Sequence, residues 1–248
     1  MLDQIPSVII TGASGGIGRA VARRFAQEGF RLFLHGFQHM DFLNCLAAEL
    51  SETYHVPVFA IQADLSDFAS IERMFINEIF PRDSQPDVLV NNAGIACFSL
   101  LQDMTEADWD RVMNTNVKSV FGCCRQVLPS MIRRREGCIV NISSMWGISG
   151  ASMEAAYSAS KGAVNALTRA LGKETAPSGI RVNAIACGVI DTDMNRCLDS
   201  QERQALAEDI PMGRFGRPEE AADLVWYLAS PASAYLTAQV IPLDGAYL

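Results

Sequence analysis

Tyr157 and Lys161 are the two side chains in this sequence whose types and spacing are best suited to proton transfer. Residues four apart on a helix lie on the same face, so the phenol and the ammonium could reach one ligand together. A phenol placed in this way could donate a proton to an oxygen atom of the ligand or accept one from it. Taken alone, the pair would also fit a tyrosine beside a solvated lysine on a helix surface, and its surroundings must decide.

The pair lies in a predicted helix over residues 153–176. Ser152 is suited to be its N-cap, and Pro177 and Gly179 mark its end. The helix is rich in alanine and contains Gly162. A glycine inside a helix costs about 1 kcal/mol relative to alanine, so we expect close packing at that position to compensate.

A glycine-rich loop near the start of the sequence is typical of a dinucleotide site. Residues 5–11 form a predicted buried strand, and a predicted helix over 19–28 and a strand over 31–35 follow. Between the first strand and the helix, the glycines at 12, 16 and 18 have the spacing Gly-x-x-x-Gly-x-Gly. Such a loop lets the backbone and the helix N-terminus approach a pyrophosphate. A tight turn without a ligand is the alternative.

Strands and helices alternate along the remaining sequence. Predicted strands lie at 56–61, 87–91, 137–142, 180–186 and 239–243, and predicted helices at 41–53, 67–80, 117–135, 200–207 and 218–230, with another helix that starts at Thr105. This alternation predicts an α/β, doubly wound Rossmann-type fold, with a seven-stranded parallel sheet and helices on both faces. No composition break marks a second domain, so residues 1–248 are expected to form one domain.

Composition excludes several classes of function. The net charge of −8 disfavours general binding to nucleic acid or to an anionic membrane. Apolar stretches are interrupted well before 18 residues, so no membrane span is expected. The seven cysteines lack paired CxxC spacing, and His35, His39 and His55 lack metal-ligand spacing, so we expect free thiols and no metal site. A cytoplasmic location is the expectation.

Several motifs then occur together in the order of a known family. The sequence contains TGASGGIG, NNAG at 91–94, Asn116, Ser144 thirteen residues before Tyr157, and the Tyr-x-x-x-Lys pair. It resembles the short-chain dehydrogenase/reductase family over essentially its whole length, and most closely the 3-oxoacyl-acyl-carrier-protein reductases of fatty acid biosynthesis. The resemblance implies an oxidoreductase that moves hydride between a nicotinamide and a carbonyl/alcohol pair.

The resemblance assigns catalytic roles to four residues, Asn116, Ser144, Tyr157 and Lys161. Ser144 and Tyr157 would bind the carbonyl oxygen, Tyr157 would transfer the proton, and Lys161 would lower the pKa of Tyr157. Bringing a phenol from a pKa near 10 to about 7 requires roughly 4 kcal/mol, which one positive charge at about 4 Å supplies at an effective dielectric near 20. Asn116 would join a water relay through Lys161, and it could also be a helix N-cap.

The resemblance also implies a set of cofactor-binding residues. Beside Tyr157 and Lys161, they are Gly12, Ser14, Gly15, Gly16, Ile17, Gly18, Asp64, Leu65, Asn91, Ala93, Gly94, Gly188, Ile190 and Thr192. At the end of the second strand, residues 35–39 contain no carboxylate that would select NAD. The arginines with which relatives hold a 2′-phosphate are also missing, since Gly15 and Phe37 occupy those places. The sequence therefore favours NADP over NAD without excluding either.

Substrate and partners are less narrowly defined. The expected substrate-binding residues are Ser144, Met145, Trp146, Tyr157, Cys187 and Met194. Cys187 replaces a proline usual in the family and is interpreted as a lining residue rather than a nucleophile. Such a pocket suits a 3-oxoacyl thioester, and a steroid, sugar-alcohol or other secondary-alcohol dehydrogenase, or a non-catalytic nucleotide-binding regulator, are the alternatives. By the same resemblance, arginines 133–135 match the region where acyl-carrier reductases meet an acyl carrier protein, although basic residues at a helix C-terminus are also favoured by its dipole. The family resemblance also suggests a homotetramer, with a dimer as the alternative.

Overall fold

The protein is described by a computed structural model that covers residues 5–195 and 198–248. Seven parallel strands form one sheet in the order β3-β2-β1-β4-β5-β6-β7. The strands are β1 (Ser7–Ile10), β2 (Arg31–Gly36), β3 (Val58–Gln62), β4 (Val88–Asn91), β5 (Gly137–Ser144), β6 (Ile180–Cys187) and β7 (Val240–Leu243). The strand order reverses between β1 and β4, and in a doubly wound sheet ligands bind at such a point.

Nine α-helices connect and cover these strands in the described part of the chain. They are α1 (Gly16–Gln27), α2 (Met40–Tyr54), α3 (Phe68–Met74), α4 (Glu106–Met113), α5 (Ser119–Arg134), α6 (Trp146–Ser149), α7 (Ala155–Thr175), α8 (Ser200–Asp209) and α9 (Pro218–Ala229). Two π-helical turns, Phe75–Ile79 and Asn114–Lys118, extend α3 and join α4 to α5. The predicted fold class is confirmed.

The central strands are apolar because both faces of the sheet are covered. Along β1, Val8 and Ile10 belong to one buried cluster, together with side chains of α1, α2 and α9. Ile9 points to the opposite face, where side chains of α3, α5 and α7 pack around it. All three β1 side chains are fully buried. A period of two in the strand thus divides the core into two layers.

Ser152 and Asn116 are not N-caps in the structure, whereas the helix start predicted at Thr105 is confirmed. The long helix α7 begins at Ala155, its N-cap is Glu154, and Ser152 does not cap it. Asn116 is not an N-cap either, because α4 continues through the second π-helical turn into α5. The helix predicted at Thr105 does begin there, and the Thr105 hydroxyl accepts a hydrogen bond from the amide of Asp108.

Two further sequence expectations concern the whole chain. In the described ranges, no helix is long and apolar enough to cross a membrane. Six cysteines are free thiols in the structure, as predicted, and the seventh, Cys197, lies outside the described residues.

Candidate active site

A cleft of about 1180 Å³ opens at the carboxyl ends of the strands, where the strand order reverses. It is lined by the loop after β1, the segment after β4, the end of β5, the first turns of α7, the segment after β6, and α8. Seventeen of the predicted site residues line it, fourteen of which are Gly12, Ser14, Gly15, Gly16, Ile17, Ala93, Gly94, Ser144, Met145, Trp146, Tyr157, Lys161, Cys187 and Gly188. Ile190, Thr192 and Met194 also line it.

The glycine loop is shaped so that side chains at three positions would collide with backbone or with a neighbour. Gly12 has a φ of +64°, a conformation that favours glycine. A Cβ at Gly18 would lie 2.4 Å from the Gly12 carbonyl oxygen, and one at Gly16 would lie 2.6 Å from Thr192 Cγ2. Gly15 caps α1 without a side-chain hydrogen bond, so the first amides of α1 are left for a ligand. This cradle fits the pyrophosphate of a dinucleotide.

His35 supports this loop from the end of β2, a role that its sequence context did not reveal. Its Nδ1 accepts a hydrogen bond from the Gly12 amide at 3.2 Å, and its Nε2 donates to the Ala63 carbonyl oxygen at 3.0 Å. Burial lowers the pKa of His35 to about 4, so the ring is neutral and can accept at Nδ1. A histidine that ends a buried apolar strand directly before Gly36 was the available signal.

The two adjacent asparagines after β4 have different roles. The Asn91 side chain is buried in the sheet and donates to Asn141 Oδ1 at 2.8 Å. The Asn92 side chain lines the cleft and donates to the carbonyl oxygens of Thr11 and Gly12, each at 2.9 Å. The structure therefore places Asn92, rather than the predicted Asn91, against the glycine loop. The sequence NNAG does not distinguish the two positions, because only the strand register does so.

Asp64 and Leu65 do not line the cleft within the described residues. The Asp64 carboxylate accepts hydrogen bonds from the amide and hydroxyl of Ser66, at 2.9 and 2.7 Å. Leu65 is buried in the core. Their contact with an adenine stays a prediction.

Ser144, Tyr157 and Lys161 converge on the floor of the cleft. The Ser144 side chain lies close enough to the Tyr157 hydroxyl to lower the pKa of that phenol, and Ser144 Oγ accepts a hydrogen bond from the Trp146 amide at 3.2 Å. The Lys161 ammonium donates to the Ile142 carbonyl oxygen at 2.8 Å and lies 5.6 Å from the centre of the Tyr157 ring. Tyr157 and Lys161 are 8% and 5% exposed, so both polar groups are held inside a largely dry pocket. The residues that sequence spacing selected are therefore brought together.

Burial dominates the proton affinities of this group. It raises the pKa of Tyr157, and Ser144 opposes that rise only in part. It also lowers the pKa of Lys161 to about 8. The expectation that Lys161, helped by an oxidised nicotinamide, brings the Tyr157 pKa towards 7 stays a prediction, and in the structure desolvation of the phenolate has the larger effect on this pKa. Tyr157 is consequently a protonated hydroxyl at neutral pH, as a proton donor must be.

Asn116 holds the segment after β4 over the lysine. Its Oδ1 accepts from the Ile95 amide at 2.8 Å, and its Nδ2 donates to the Ile95 carbonyl oxygen at 2.9 Å and to Ser160 Oγ at 3.0 Å. A Cβ at Gly94 would lie 3.3 Å from both Asn116 Oδ1 and Lys161 Nζ. The π-helical turn puts this side chain within reach of two elements, as such turns often do at functional sites. The water relay through Lys161 stays a prediction.

The predicted substrate residues form the outer part of the cleft. Trp146 packs edge-on against Tyr247, with ring centres 6.1 Å apart, so the end of the chain borders this wall. Met194 is half-exposed, whereas Met145 and Cys187 are buried. Burial raises the pKa of the Cys187 thiol to about 12, which favours its interpretation as a lining group rather than a nucleophile. Among the described residues, no group of three potential ligands could hold a metal ion.

Comparisons with known proteins agree with this geometry. A family model described as enoyl-(acyl carrier protein) reductase matches residues 12–247. The 3-oxoacyl-acyl-carrier-protein reductase of Thermotoga maritima is 42% identical over 237 residues, which are 96% of this chain and 95% of that protein. An uncharacterised oxidoreductase of Bacillus subtilis, YmfI, is 38% identical over 241 residues, 97% of this chain and 98% of that protein.

A solved structure is similar over nearly the same extent. A variant of the actinorhodin polyketide ketoreductase, crystallised with NADPH, superimposes with a TM-score of 0.92 at 34% identity, and the match covers 98% of this chain and 97% of that one. Sequence and structure thus agree over almost the whole chain, and the matched part contains Ser144, Tyr157, Lys161 and the glycine loop. The chain belongs to the short-chain dehydrogenase/reductase family, whose members are NAD(P)-dependent oxidoreductases that act on C=O and CH–OH groups.

Proposed function

We propose that the protein reduces a 3-oxoacyl thioester, carried by an acyl carrier protein or coenzyme A, to the 3-hydroxyacyl thioester with NADPH. One observation carries the proposal: Tyr157, Ser144 and Lys161 converge in a cleft whose far end is a glycine cradle for a dinucleotide. The names of relatives that are about 40% identical supply the substrate class. We place both binding and catalysis in one domain, residues 1–248, of a cytoplasmic protein.

In the proposed mechanism, Ser144 and Tyr157 bind the carbonyl oxygen of the substrate. Both hydroxyls then stabilise the negative charge that develops on this oxygen, and Tyr157 gives up its proton to it. A bound reduced nicotinamide would supply the hydride to the carbonyl carbon. Lys161 holds its ammonium near Tyr157 and stabilises the phenolate that remains after the transfer. We propose that Asn116 and Lys161 return the proton through water.

The cofactor would be held by the predicted set, with Asn92 added. Gly12, Gly16 and Gly18 form the pyrophosphate cradle, and Gly188, Ile190 and Thr192 face them across the cleft. NADP is favoured because residues 35–39, at the end of β2, include no carboxylate that would repel a 2′-phosphate. Phe37 lies in this segment and is half-exposed, so the segment is accessible from solvent.

Docking of an acyl carrier protein would use the end of α5. The Arg134 guanidinium is held by the Asp87 carboxylate and the Pro86 carbonyl oxygen, each at 2.7 Å, so its charge is already paired. Arg133 is exposed, and the exposed Arg135 side chain donates to the Pro177 carbonyl oxygen at 2.7 Å, which leaves its charge without an acidic partner in the described residues. We therefore assign docking to Arg133 and Arg135.

A homotetramer remains our expectation, and the surface of α7 supports it. A Cβ at Gly162 would meet only the Gly147 carbonyl oxygen, at 3.6 Å. The close packing expected there is thus not supplied by the described part of the same chain. A second copy that packs on this alanine-rich face would supply it.

Two other reactions deserve comparison. The description of the family model raises an enoyl thioester as substrate, but such a reduction must deliver a proton to carbon. Here two hydroxyl groups converge on a single position suited to an oxygen atom, which favours a carbonyl. Secondary-alcohol dehydrogenation of steroids or sugar alcohols would use the same groups in reverse. A non-catalytic regulator would not require the convergence of all three side chains.

A cofactor oxidation assay separates these functions. The proposal expects rapid NADPH oxidation with acetoacetyl thioesters, and little with crotonyl thioesters, steroids or simple ketones. Tyr157→Phe should reduce kcat at least about a thousandfold, the upper range for general acid catalysis, and leave NADPH binding within about twofold. Turnover of crotonyl thioesters alone, or retained turnover in Tyr157→Phe, would contradict the proposal. Faster oxidation of NADH than of NADPH would contradict the cofactor assignment.

A further inference from the structure

Glu154 places a carboxyl group in the substrate part of the cleft. It is the N-cap residue of α7, three positions before Tyr157, and it lines the cleft with Met153 and Phe98. Its carboxyl is close enough to the Tyr157 hydroxyl to raise the pKa of that phenol. Glu154 is therefore part of the wall beside the reacting carbonyl.

The backbone of Glu154 is fixed on both sides. The Glu154 carbonyl oxygen accepts from the Ser158 amide at 2.8 Å, in the first turn of α7. Glu154 also pairs with Ser99 in a parallel β-bridge, and the Ser99 amide donates to the Met153 carbonyl oxygen at 2.8 Å. These bonds tie the segment after β4 to the start of α7. The position of the Glu154 side chain is thus set by the fold and not by a partner of its carboxylate.

Within the described residues, that carboxylate has no hydrogen bond or ion pair, although the side chain is only half-exposed. Burial alone raises its pKa. The other acids of the cleft wall differ: Asp193 is paired with Arg19, and Glu202 accepts from the Asp199 amide in a capping box. A half-buried acceptor group without a hydrogen-bond partner loses part of its hydration, and no hydrogen bond from the protein compensates for that loss.

The described residues that line the cleft include little positive charge. Among the described residues that line the cleft, Lys161 is the one basic side chain, and its ammonium is buried and bonded to the Ile142 carbonyl oxygen. Apart from Tyr157, the cleft-lining residues nearest to Glu154 along the chain and across its bridge to Ser99 are apolar, namely Met153 and Phe98. A substrate carboxylate would therefore meet repulsion here, whereas an N–H or O–H donor would meet an acceptor.

We propose that Glu154 is a specificity-determining residue, which accepts a hydrogen bond from a hydroxyl, amide or ammonium group of the substrate and excludes substrates that carry a carboxylate near the ketone. The inference rests on the proposed carbonyl reduction and narrows its substrate class. A thioester joined to an amide-containing arm satisfies it, and a free 3-oxo acid does not.

The test uses 3-oxoacyl thioesters (the esters below) that are identical except for a terminal ammonium, hydroxyl, methyl or carboxylate group, at two or three chain lengths. The wild-type protein with NADPH should show kcat/KM falling in that order. Glu154→Gln keeps the size of the side chain and should lower the ammonium-to-carboxylate ratio of kcat/KM by about tenfold, the size expected for one charge pair at a half-exposed site. Glu154→Asp, which keeps the charge, should retain part of the ratio.

Glu208→Gln is the matched control, because Glu208 is exposed on α8 and accepts a hydrogen bond from the Gln204 side chain at 2.9 Å. It should leave the ratio unchanged. An equal loss in Glu208→Gln, an unchanged ratio in Glu154→Gln, or a wild-type preference for the carboxylate ester would overturn the inference. These outcomes differ from a failure of the proposed function, in which the wild-type protein would reduce none of the esters.

Discussion

Replacing Lys161 by methionine should stop turnover and also remove a pH-dependent stability cost. Lys161 is buried, and its pKa falls to about 8 in the folded protein from an ordinary value of 10.5. Between these two values the unfolded chain binds more protons than the folded protein, so the free energy of unfolding rises with pH. The cost of burying the ammonium is fully present below pH 8 and disappears above 10.5.

The difference of 2.5 pKa units corresponds to about 3 kcal/mol in the free energy of unfolding. About 2 kcal/mol of this amount should be recovered between about pH 7 and 9.5. Lys161→Met has no such group, but it leaves the Ile142 carbonyl oxygen without its donor, which costs about 1–3 kcal/mol at every pH. The two proteins should therefore differ in how steeply the free energy of unfolding rises with pH, and this difference, rather than the absolute stability, measures the contribution of the ammonium.

Urea unfolding of the wild-type protein and Lys161→Met, at several pH values and one protein concentration, measures this slope. Burial raises the pKa of Tyr157 and of Cys187, which lowers stability as pH rises, but both groups are present in both proteins and largely cancel. Lys173→Met, at an exposed position of the same helix, is the control and should follow the wild type. Parallel curves for the wild type and Lys161→Met would refute the argument that burial governs this lysine.

Two glycine pairs give further predictions. Gly172→Ala should lower the free energy of unfolding by about 1–3 kcal/mol, because its Cβ would lie 2.8 Å from the Ala238 backbone. Gly162→Ala should raise the free energy of unfolding of the isolated subunit by up to about 1 kcal/mol. Urea unfolding measures both changes, and destabilised Gly162→Ala monomers would contradict the open surroundings of this position. Gly18→Ala should weaken NADPH binding at least about tenfold by displacing the loop backbone. Gly15→Ala should weaken NADPH binding less, since its Cβ would meet only the Gly12 carbonyl oxygen at 3.5 Å. Equal losses of affinity in fluorescence titrations would contradict the proposed loop geometry.

Sequence periodicity was sufficient for the fold because its signals are local. The apolar runs of β1, β4 and β5 and the glycine and proline residues between elements set the order of strands and helices. Helix starts were less predictable. Ser152 has the right residue type for an N-cap, but Met153 has a φ of +63° and the helix starts only after Glu154. The bridge between Ser99 and Glu154 fixes this turn, and such a long-range contact leaves no pattern in the local sequence.

The site was predictable to the extent that its residues lie on one element or follow one strand. Tyr157 and Lys161 share a helix face, so their spacing alone brings them together. His35 and Asn92 were missed because their roles depend on hydrogen bonds across the sheet to Gly12. Gly12 is more than 20 residues from His35 in the sequence and 80 residues from Asn92. Glu154 was missed because its significance depends on the lack of a partner for its carboxylate among the described residues, which the sequence does not show.

The burial that makes Lys161 costly also distinguishes the two directions of the reaction. Reduction begins with a protonated tyrosine, and burial keeps Tyr157 protonated at neutral pH. Oxidation needs the phenolate first, which the same burial disfavours. Ser144 lowers the pKa of Tyr157, but its effect does not outweigh desolvation, and the Lys161 ammonium lies 5.6 Å from the centre of the Tyr157 ring. A further positive charge must enter the cleft for the phenolate to form near neutral pH, and an oxidised nicotinamide carries one. In the proposed reaction, proton acceptance by Tyr157 would therefore depend on the redox state of the bound cofactor, whereas proton donation would not.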